Sequence, residues 1–320
     1  MSHDRLIQLR HDQLAGALKA GDRDYTNAPR WGWTDLGKMT GPLLPGELWI
    51  VGARPANGKT SFLLSWAGYL EMVGVRFLYI GMEMSPETLR RKWAAMRCGL
   101  NPDYVLANEW TQLPSDAKAR VNEDLEDQSA RGLANFAPGR RIDVNALREW
   151  VEIAAGTGCA VVVVDHFHRM AHTGDWFQMS ETVRAAKEYA VDRDIVLVMA
   201  AQLNRGGRDV MEPYTPPPLS ALKQTGALEE ESDVVLMLFR SMKSGITRSD
   251  MTQIREGLAD ITQWVDPNVM GVVCRKHRRS GPAQDHAIRL TLGPSGMVEN
   301  YMPWNISTRP LDESLSGSGR

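Results

Sequence analysis

A glycine-rich segment with the composition of a phosphate-binding loop follows the first apolar run of the chain. The run is Glu47–Val51, and the segment after it reads Gly-Ala-Arg-Pro-Ala-Asn-Gly-Lys-Thr-Ser-Phe. It matches a small residue, four variable residues and Gly-Lys-Ser/Thr, with Ala53 first and Gly58, Lys59 and Thr60 last. In such loops backbone N–H groups and the positive end of the next helix surround phosphates, the lysine adds charge and the hydroxyl can bind Mg²⁺. The residues predicted to contact the nucleotide are Ala53, Arg54, Pro55, Ala56, Asn57, Gly58, Lys59, Thr60 and Ser61.

Two carboxylates follow apolar runs and have the chemistry that a nucleotide site requires. The run Ala160–Asp165 ends in an acid, and a carboxylate at the end of a second strand is a typical Mg²⁺ ligand beside a phosphate loop. Glu83 follows the run Phe77–Gly81 and is a candidate to orient or deprotonate the attacking water. Taken alone, Asp165 also fits a strand-ending turn, and Glu83 also fits the start of a helix.

The elements that must position these groups alternate between apolar runs and helical patterns. The runs predicted as parallel strands are Glu47–Val51, Phe77–Gly81, Ala160–Asp165, Val196–Ala201 and Val234–Arg240. Helical stripes lie between most of them, one containing Trp93 and one following the cap candidate Asp143, and an amphipathic helix is predicted over Thr60–Val73. This alternation predicts an α/β fold with a central, mostly parallel sheet flanked by helices on both faces. The runs Val269–Lys276 and His286–Leu292 predict a C-terminal β-hairpin.

Length and composition set few limits on function. The chain has 320 residues and a formal net charge of −2, so any contact with nucleic acid must come from a local basic surface. Cys98, Cys159 and Cys274 are scattered through apolar surroundings, which favours buried free thiols in a reducing compartment. The N-terminus is too polar for a signal peptide, and no stretch approaches about 18 apolar residues. We therefore expect a soluble, cytoplasmic protein without membrane contact.

The order of the motifs resembles that of the DnaB-type replicative helicases, which are hexameric members of the RecA-like ATPase class. The resemblance covers Trp31 to Leu292. It is carried by Ala53-Arg54-Pro55, Gly58-Lys59-Thr60, Glu83-Met84, Val164-Asp165, Gln202-Leu203-Asn204-Arg205, Gly226-Ala227-Leu228-Glu229, Asp233, Phe239-Arg240, and Lys276-His277-Arg278 with Gly281-Pro282. The resemblance implies a RecA-like P-loop ATPase fold that uses ATP and Mg²⁺.

Five residues of the nucleotide site acquire roles from this resemblance. It implies that Lys59, Thr60 and Asp165 handle phosphate and Mg²⁺. It implies that Glu83 is the catalytic base. Gln202 would sense the γ-phosphate and link it to the DNA-binding loops.

Three cations acquire roles in the same way. Lys276 and Arg278 match the pair that such proteins insert into the active site of the neighbouring subunit, with Arg278 as the arginine finger, and Arg240 resembles a residue beside the nucleotide base. A cation from a neighbour stabilises charge in the transition state of phosphoryl transfer, an effect of about 10³–10⁵ in rate. Taken alone, Arg275–Arg279 also fits a solvated strand end or a bare phosphate-binding patch.

Nucleic-acid contacts are predicted in the loop-like segment Asn204–Gly226. It contains Arg205, Arg208 and Lys223 among Gly, Pro and Thr residues, and Gly226 could offer its backbone N–H to a phosphate. A flexible surface loop with incidental cations is the alternative. The partners implied are single-stranded DNA, further copies of the chain in a hexameric ring, and primase or loader proteins.

The chain departs from the family pattern after Asp165. Tyr-Leu-Gln is usual there, whereas this chain has His166-Phe167-His168, so the coupling role of that glutamine does not transfer. Two histidines beside an aspartate also suggest a metal site, but no third well-spaced ligand follows. The finger segment carries one extra residue, Arg279 or Ser280.

Three segments are predicted along the chain. Residues 1–30 form a linker-type helix over Arg5–Lys19 and a linker, residues 31–304 form the ATPase domain, and residues 305–320 form a disordered tail. The family usually carries an N-terminal collar domain, which is missing here, so ring formation is expected to depend on the helix and the ATPase interfaces. Ser241–Asp266 is longer and more polar than the family pattern, and we assign it no function.

The leading hypothesis is an ATP-driven DNA helicase of the hexameric DnaB-like type. One alternative is a RecA-like recombinase or recombination mediator that forms a nucleotide-controlled filament. A second is a nucleotide-gated scaffold or loader that does not unwind DNA. Electron microscopy of the assembly on DNA separates ring from filament, and DNA-stimulated turnover separates both from the scaffold.

Overall fold

The computed structural model describes residues 25–106, 108–139, 142–170, 176–203, 216–222, 226–240, 268–280 and 287–300. The predicted helix Arg5–Lys19, the segment Ser241–Asp266 and the tail 305–320 lie outside the described residues. Within the described residues, helices cover both faces of one nine-stranded sheet.

The sheet has the order β3-β2-β4-β5-β1-β6-β7-β8-β9. The strands are β1 (Leu48–Ala53), β2 (Phe77–Gly81), β3 (Ala134–Pro138), β4 (Val161–Asp165), β5 (Val196–Gln202), β6 (Val234–Phe239), β7 (Val269–His277), β8 (Ala287–Leu292) and β9 (Val298–Asn300). The first six strands in this order pair in parallel, and β7, β8 and β9 are antiparallel. The predicted α/β sheet and the C-terminal hairpin are confirmed, with predicted strand ends that differ from the observed ones by at most two residues.

In the described part of the chain, one helix precedes β1 and the others lie between the parallel strands. They are α1 (Thr34–Thr40), α2 (Lys59–Met72), α3 (Pro86–Arg97), α4 (Pro102–Leu106), α5 (Ser115–Arg131), α6 (Val144–Gly156), α7 (Trp176–Asp192) and α8 (Gly226–Glu231), with short 3₁₀ helices at Asn108–Gln112, Phe167–Arg169 and Leu219–Leu222. Asp143 caps α6 as predicted, since its Oδ1 accepts a hydrogen bond from Ala146 N–H at 2.9 Å.

Strand β1 is buried on both faces, which places the loop that follows it at the centre of the fold. Trp49 and Val51 belong to a core that includes α2 and α3. Leu48 and Ile50 belong to the core on the other face, with α6 and α7. Burial on both faces explains why the parallel strands are continuous apolar runs.

Helix α2 corrects the prediction of an amphipathic helix over Thr60–Val73. It begins at Lys59, and no residue before its last, Met72, is exposed. The segment before β1 packs against both α2 and the sheet, since Trp31 also lies 5.7 Å from Trp49 of β1 between ring centroids. Trp31 lies 4.4 Å from Trp66 between ring centroids, and Trp66 Nε1 donates to the carbonyl of Arg30 at 2.8 Å. The helix that carries the phosphate loop therefore packs against this segment as well as against the sheet.

The sequence patterns do not predict β3, β9 or α5. Strand β3 reads Ala-Asn-Phe-Ala-Pro at the edge of the sheet, and β9 has three residues. Neither is long or apolar enough to stand out from loop sequence, so their pairing is decided by the strands already in place.

Cysteine burial agrees with prediction at two of three positions. Cys159 and Cys274 are buried, whereas Cys98 is only partly buried. Burial raises the pKa of all three thiols, that of Cys274 to about 11. Every helix in the described part of the chain is too short or too polar to span a bilayer.

Candidate nucleotide-binding and catalytic site

The predicted phosphate loop connects β1 to α2 at the carboxyl edge of the parallel sheet. Gly58 caps α2 with a φ of 84°, and Ala56 has a φ of 62°. The positive φ of Gly58 favours glycine, and a Cβ atom there would also displace the flexible end of Met270, whose Cε would lie 2.6 Å away. The positive end of a 14-residue helix therefore faces the loop.

Strands β5 and β6 flank β1 and bring two predicted residues to the loop. Ala53 pairs with Gln202 of β5 and with Leu238 of β6. The side chain of Gln202 is exposed at the end of its strand. Arg240 directly follows β6, and partial burial lowers the pKa of its guanidinium.

Asp165, the last residue of β4, joins the loop to the sheet. Its Oδ2 accepts hydrogen bonds from Oγ1 of Thr60 and from the hydroxyl of Tyr79, each at 2.7 Å. Burial, and then the charge and hydrogen bond of Asp165, raise the pKa of Tyr79 well above its ordinary value, so the neutral phenol is the donor. A hydroxyl and a carboxylate at this distance are the hard oxygen ligands that Mg²⁺ prefers. The predicted pair fits a magnesium site.

Lys59 lies close to both carboxylates of the site. Burial lowers the pKa of its ammonium group, and the negative charges of Asp165 and Glu83 act in the opposite direction. Phosphate oxygens beside the ammonium would likewise favour its charged form. The lysine is therefore placed to exchange carboxylate partners for phosphate.

Glu83 reaches the site because the pairing of β2 with β4 continues beyond β2. The N–H of Met82 donates to the carbonyl of Asp165 at 2.7 Å. The Glu83 side chain is half exposed, and its Oε1 lies 3.0 Å from Nη2 of Arg169 and 3.7 Å from Nδ1 of His166. Burial, and then the charge of Lys59, lower the pKa of His166, which favours a neutral imidazole.

The structure is compatible with both interpretations of Glu83, because the residue lies just before a helix and also lines the cleft. Helix α3 begins at Pro86 behind its cap Ser85, whose Oγ accepts from Thr88 N–H at 3.3 Å. Glu83 precedes this cap and its side chain is available to the cleft.

A cleft of about 560 Å³ opens over the loop. The predicted residues that line it are Arg54, Pro55, Ala56, Gly58, Lys59, Thr60, Ser61, Glu83, Asp165, Gln202 and Arg240. Of the residues predicted to contact the nucleotide, two do not line it: Ala53 is fully buried as the last residue of β1, and Asn57 is also buried. The structure thus gathers the predicted phosphate, metal and base residues around one space.

The cleft also contains residues that the motifs did not point to. They are Lys92, Asn101, Pro102, Asp103, His166, Leu292, Gly293, Pro294 and Gly296. Leu292 ends β8, the last three belong to the connection between β8 and β9, and a Cβ on Gly296 would lie 3.5 Å from Oγ of Ser61. Its Gly-Pro-Ser-Gly composition marks a turn in the sequence, but only the pairing of β6 to β9 places that turn beside the loop.

Lys276 and Arg278, called here the finger pair, lie at the opposite edge of the sheet. Strand β7 runs antiparallel to β6, with His277 at the amino end of β6. Strand β1 runs parallel to β6 and ends with Ala53 opposite Leu238, four residues further along. About 13 Å of strand therefore separates the base of the finger pair from the phosphate loop. The structure does not bring the pair into the cleft of its own chain.

The finger pair contacts the C-terminal end of α8. Nζ of Lys276 bonds to the carbonyls of Glu229 and Glu230, the latter at 3.0 Å. Nη2 of Arg278 donates to the carbonyl of Glu230 at 3.0 Å, and Nη1 lies 3.1 Å from Oδ1 of Asp233. The Arg278 side chain is nonetheless 51% exposed. Positive groups are favoured at the negative end of a helix dipole.

The remaining predicted residues lie elsewhere or outside the described chain. Arg205, Arg208 and Lys223 are outside the described residues, and Gly226 is the partly exposed first residue of α8. No group of three or more His, Cys, Asp or Glu side chains gathers as a metal site within the described residues. Instead, Nδ1 of His168 accepts the backbone N–H of Gln202 at 3.2 Å.

A strand, a phosphate loop and a helix at the carboxyl edge of a parallel sheet define a P-loop nucleotide-binding domain. The family model described as DnaB-like helicase C terminal domain matches residues 30–291. The chain therefore belongs to the DnaB-like helicase C-terminal domain family.

Relatives and solved structures agree with this assignment. The chain is 30% identical over 238 residues to the replicative DNA helicase DnaB of Leifsonia xyli subsp. xyli, and 27% identical over 225 residues to that of Haemophilus influenzae. These matches cover 70% and 65% of this chain, and 49% and 45% of the relatives. The chain thus spans about half the length of the curated relatives it matches.

Two solved structures have the same fold. One is an isolated ATPase domain, which superposes with a TM-score of 0.70 at 20% identity, covering 92% of this chain and 99% of that one. The other is a DnaB-like replicative helicase, described with its interactions with primase, which has a TM-score of 0.71 at 20% identity and covers 94% of this chain and 67% of that one. The expected RecA-like arrangement of a P-loop ATPase with added antiparallel strands is confirmed.

Proposed function

We propose that this chain is the motor of a DnaB-type helicase, a hexameric ring that hydrolyses ATP at subunit boundaries and moves along single-stranded DNA. One observation carries the proposal: the cleft and the finger pair lie at opposite edges of the same sheet. Each chain then holds two incomplete halves of an active site. A head-to-tail neighbour completes both, and head-to-tail contacts of this kind generate rings.

ATP binding falls to the loop and the helix behind it. Backbone N–H groups at the start of α2 and the ammonium of Lys59 bind the β- and γ-phosphates. Arg240, which follows β6, would lie beside the adenine base of the nucleotide. Gln202 ends β5 next to the loop and contacts the γ-phosphate, and the segment that follows it in the sequence carries the signal toward DNA.

Thr60 and Asp165 would hold Mg²⁺ through their oxygen atoms. When bound, the ion neutralises negative charge on the phosphate oxygens. Glu83 supplies the base that orients and deprotonates the attacking water, and its half-exposed carboxylate beside Lys59 supports this role. Departure of its carboxylate from Arg169 would free Oε1 for water.

Arg278, supported by Lys276, enters the cleft of the neighbouring subunit and stabilises charge on the transferring phosphoryl group. Removing such an arginine lowers the rate by about 10³–10⁵. Hydrolysis would then require assembly, because no chain completes its own site.

The residues proposed to contact single-stranded DNA are Arg205, Arg208, Lys223 and Gly226. A groove of cations that follows the backbone needs little sequence preference. Residues 31–304 form the motor unit in this proposal. Primase or a loader is a further proposed partner, since a structural neighbour is described with primase.

The first experiment measures ATP hydrolysis with and without single-stranded DNA on a size-exclusion fraction whose mass is read by light scattering. We expect DNA-stimulated turnover confined to a six-subunit species, and unwinding of forked duplexes by that species. Lys59→Ala should abolish nucleotide-dependent activity. Lys38→Ala, which removes an exposed lysine paired only with nearby Asp35 among the described contacts, is the matched control.

Other outcomes favour the other classes of protein. An assembled ring that hydrolyses ATP but unwinds no forked substrate would contradict the helicase proposal. A nucleotide-controlled filament on DNA points to a recombinase or mediator. ATP binding with turnover that DNA does not change points to a scaffold or loader.

Subunit mixing tests the action in trans. Arg278→Ala subunits lack the finger but keep Glu83, and Glu83→Gln subunits lack the base but keep the finger. Interfaces that join an Arg278→Ala cleft to a Glu83→Gln finger are complete, so the mixture should recover turnover that neither variant has alone. Absence of any recovery would show that the finger does not act in trans.

A further inference from the structure

We propose that Asp233 is a positioning residue for Arg278, holding the finger in the direction that serves the neighbouring subunit. This inference rests on the proposed action of the finger in trans. It goes further by identifying the group that fixes the finger before a neighbour arrives.

Asp233 holds Arg278 by its backbone and by its side chain. The carbonyl of Asp233 accepts the backbone N–H of Arg278 at 2.8 Å. Its Oδ1 lies 3.1 Å from Nη1 of the same arginine. A guanidinium with one nitrogen on a carboxylate and another on the carbonyl of Glu230 has little rotational freedom left.

The two carboxylate oxygens of Asp233 have different partners. Oδ2 accepts the backbone N–H of Leu48 at 2.8 Å and Nζ of Lys187 at 2.6 Å, which ties it to β1 and α7. Oδ1 faces Arg278. The side chain of Asp233 is only 10% exposed, so it is a fixed anchor, whereas that of Arg278 is half exposed. Oδ2 therefore anchors Asp233 to β1 and α7, and Oδ1 contacts the finger, Arg278.

The residues on either side of Arg278 contact the segment that precedes β1. Nε2 of His277 lies 2.9 Å from the carbonyl of Thr40. Arg279 pairs with Oε1 of Glu47 at 2.8 Å and donates to the carbonyl of Pro42 at 2.6 Å. Of these three consecutive residues, Arg278 alone combines a half-exposed side chain with the Asp233 contact. Because the backbone and guanidinium of Arg278 are already held, the arginine loses less conformational entropy when it enters a site.

Asp233→Asn tests the inference by removing the charge while keeping the size. We expect kcat of the assembled protein to fall by about tenfold or more with KM for ATP little changed, because the finger is misplaced and the cleft of the same chain is untouched. Lys187→Met is the matched control, since it removes a partner of Oδ2 and leaves the contact of Oδ1 with Arg278. Its kcat should stay near that of the unmodified protein.

Subunit mixing separates positioning from a general effect on the fold. Asp233→Asn subunits keep Glu83, and Glu83→Gln subunits keep a correctly held finger. In an equimolar random ring about one interface in four joins the two intact halves, so turnover should exceed that of either variant alone. In the Arg278→Ala background, Asp233→Asn should lower kcat no further, since Asp233 acts through Arg278.

The outcomes distinguish this inference from the proposed function. If Arg278→Ala recovers with Glu83→Gln and Asp233→Asn does not, the finger acts in trans and the role of Asp233 is wrong. If neither recovers, the trans finger itself is wrong, and this inference with it. Should Asp233→Asn fail to assemble, Asp233→Glu takes its place in the same assays, because it keeps the charge for Lys187 and displaces the carboxylate by one methylene.

Discussion

The hydroxyl of Tyr79 reaches from β2 to the carboxylate of Asp165 on the neighbouring strand β4. Tyr79 pairs with Val163, two residues before Asp165, so the phenol crosses the pair diagonally to donate its 2.7 Å hydrogen bond. The same oxygen, Oδ2, also accepts the hydroxyl of Thr60 from the phosphate loop. The buried Tyr79 thus orients Asp165, the proposed metal ligand, by a hydrogen bond.

Tyr79→Phe should weaken Mg²⁺ binding at the nucleotide site without unfolding the protein. The ring remains, while one hydrogen bond worth about 1 kcal/mol is lost, so the Mg²⁺ concentration for half-maximal binding should rise by about threefold to tenfold. A fluorescent ATP analogue titrated at several Mg²⁺ concentrations measures this. Tyr69→Phe, on α2 and away from Asp165, is the control. Identical Mg²⁺ curves for Tyr79→Phe and the unmodified protein would contradict the supporting role.

His168 should make the fold less stable in acid. Burial, followed by the charges of His166 and Lys59, lowers its pKa from 6.5 to about 4. Between these values the unfolded chain binds a proton that the folded chain does not, so stability falls as the pH drops through 6.5 toward 4, by up to about 3 kcal/mol.

His168→Asn tests this pH dependence. Its amide oxygen can still accept the N–H of Gln202, but the side chain does not titrate. Urea midpoints at pH 7.5 and pH 5 should therefore differ less for the variant than for the unmodified protein. Because the pKa of His166 is lowered as well, some pH dependence should remain. Equal pH dependence in both proteins would exclude His168 as a source of the effect.

Removal of the Glu71 carboxylate should lower the stability of the fold. Glu71 is nearly inaccessible on α2, where its carboxylate pairs with Arg97 of α3 and lies 3.9 Å from Arg131 of α5. Glu71→Ala removes the buried partner of Arg97, while Arg97 keeps Asp124 and Arg131 keeps Asp127. It should lower the free energy of unfolding by about 1.5–3 kcal/mol, the usual contribution of a hydrogen bond to a charged group, measured by urea denaturation. Glu152→Ala removes a surface carboxylate that pairs with two arginines and should not shift the midpoint measurably. Equal shifts would show that burial does not set the cost.

Gly139 and Gly156 should respond oppositely to alanine. A Cβ on Gly139 would lie 2.6 Å from the carbonyl oxygen of Gly81 and 2.5 Å from Sδ of Met82, next to the proposed base. Overpacking of this kind costs about 1–3 kcal/mol. At Gly156, the last residue of α6, no heavy atom lies within 4 Å of the added carbon, and alanine should be neutral or stabilising by up to about 1 kcal/mol. Thermal denaturation of both variants makes the comparison, and equal midpoints would contradict it.

Most of the sheet and the phosphate loop were predictable because their signals are local. The loop pattern, the apolar run before it and the acid after Val161–Val164 each lie within a few residues. The contributions of Tyr79 and of the Gly293–Gly296 turn were not predictable, since one looks like any apolar strand residue and the other approaches the loop only after distant strands pair. The resemblance supplied the finger pair as a motif, but its position at the far edge depends on β7 running antiparallel to β6.

The antiparallel direction of β7 also determines how neighbouring subunits would be related in the proposed assembly. A chain with its cleft at one edge and its finger at the other has a donor neighbour on one side and an acceptor neighbour on the other. The two sides are not interchangeable, so each active site would be coupled to the site of one particular neighbour. In a closed ring, hydrolysis would therefore have a sense of circulation, set by the direction of a single strand.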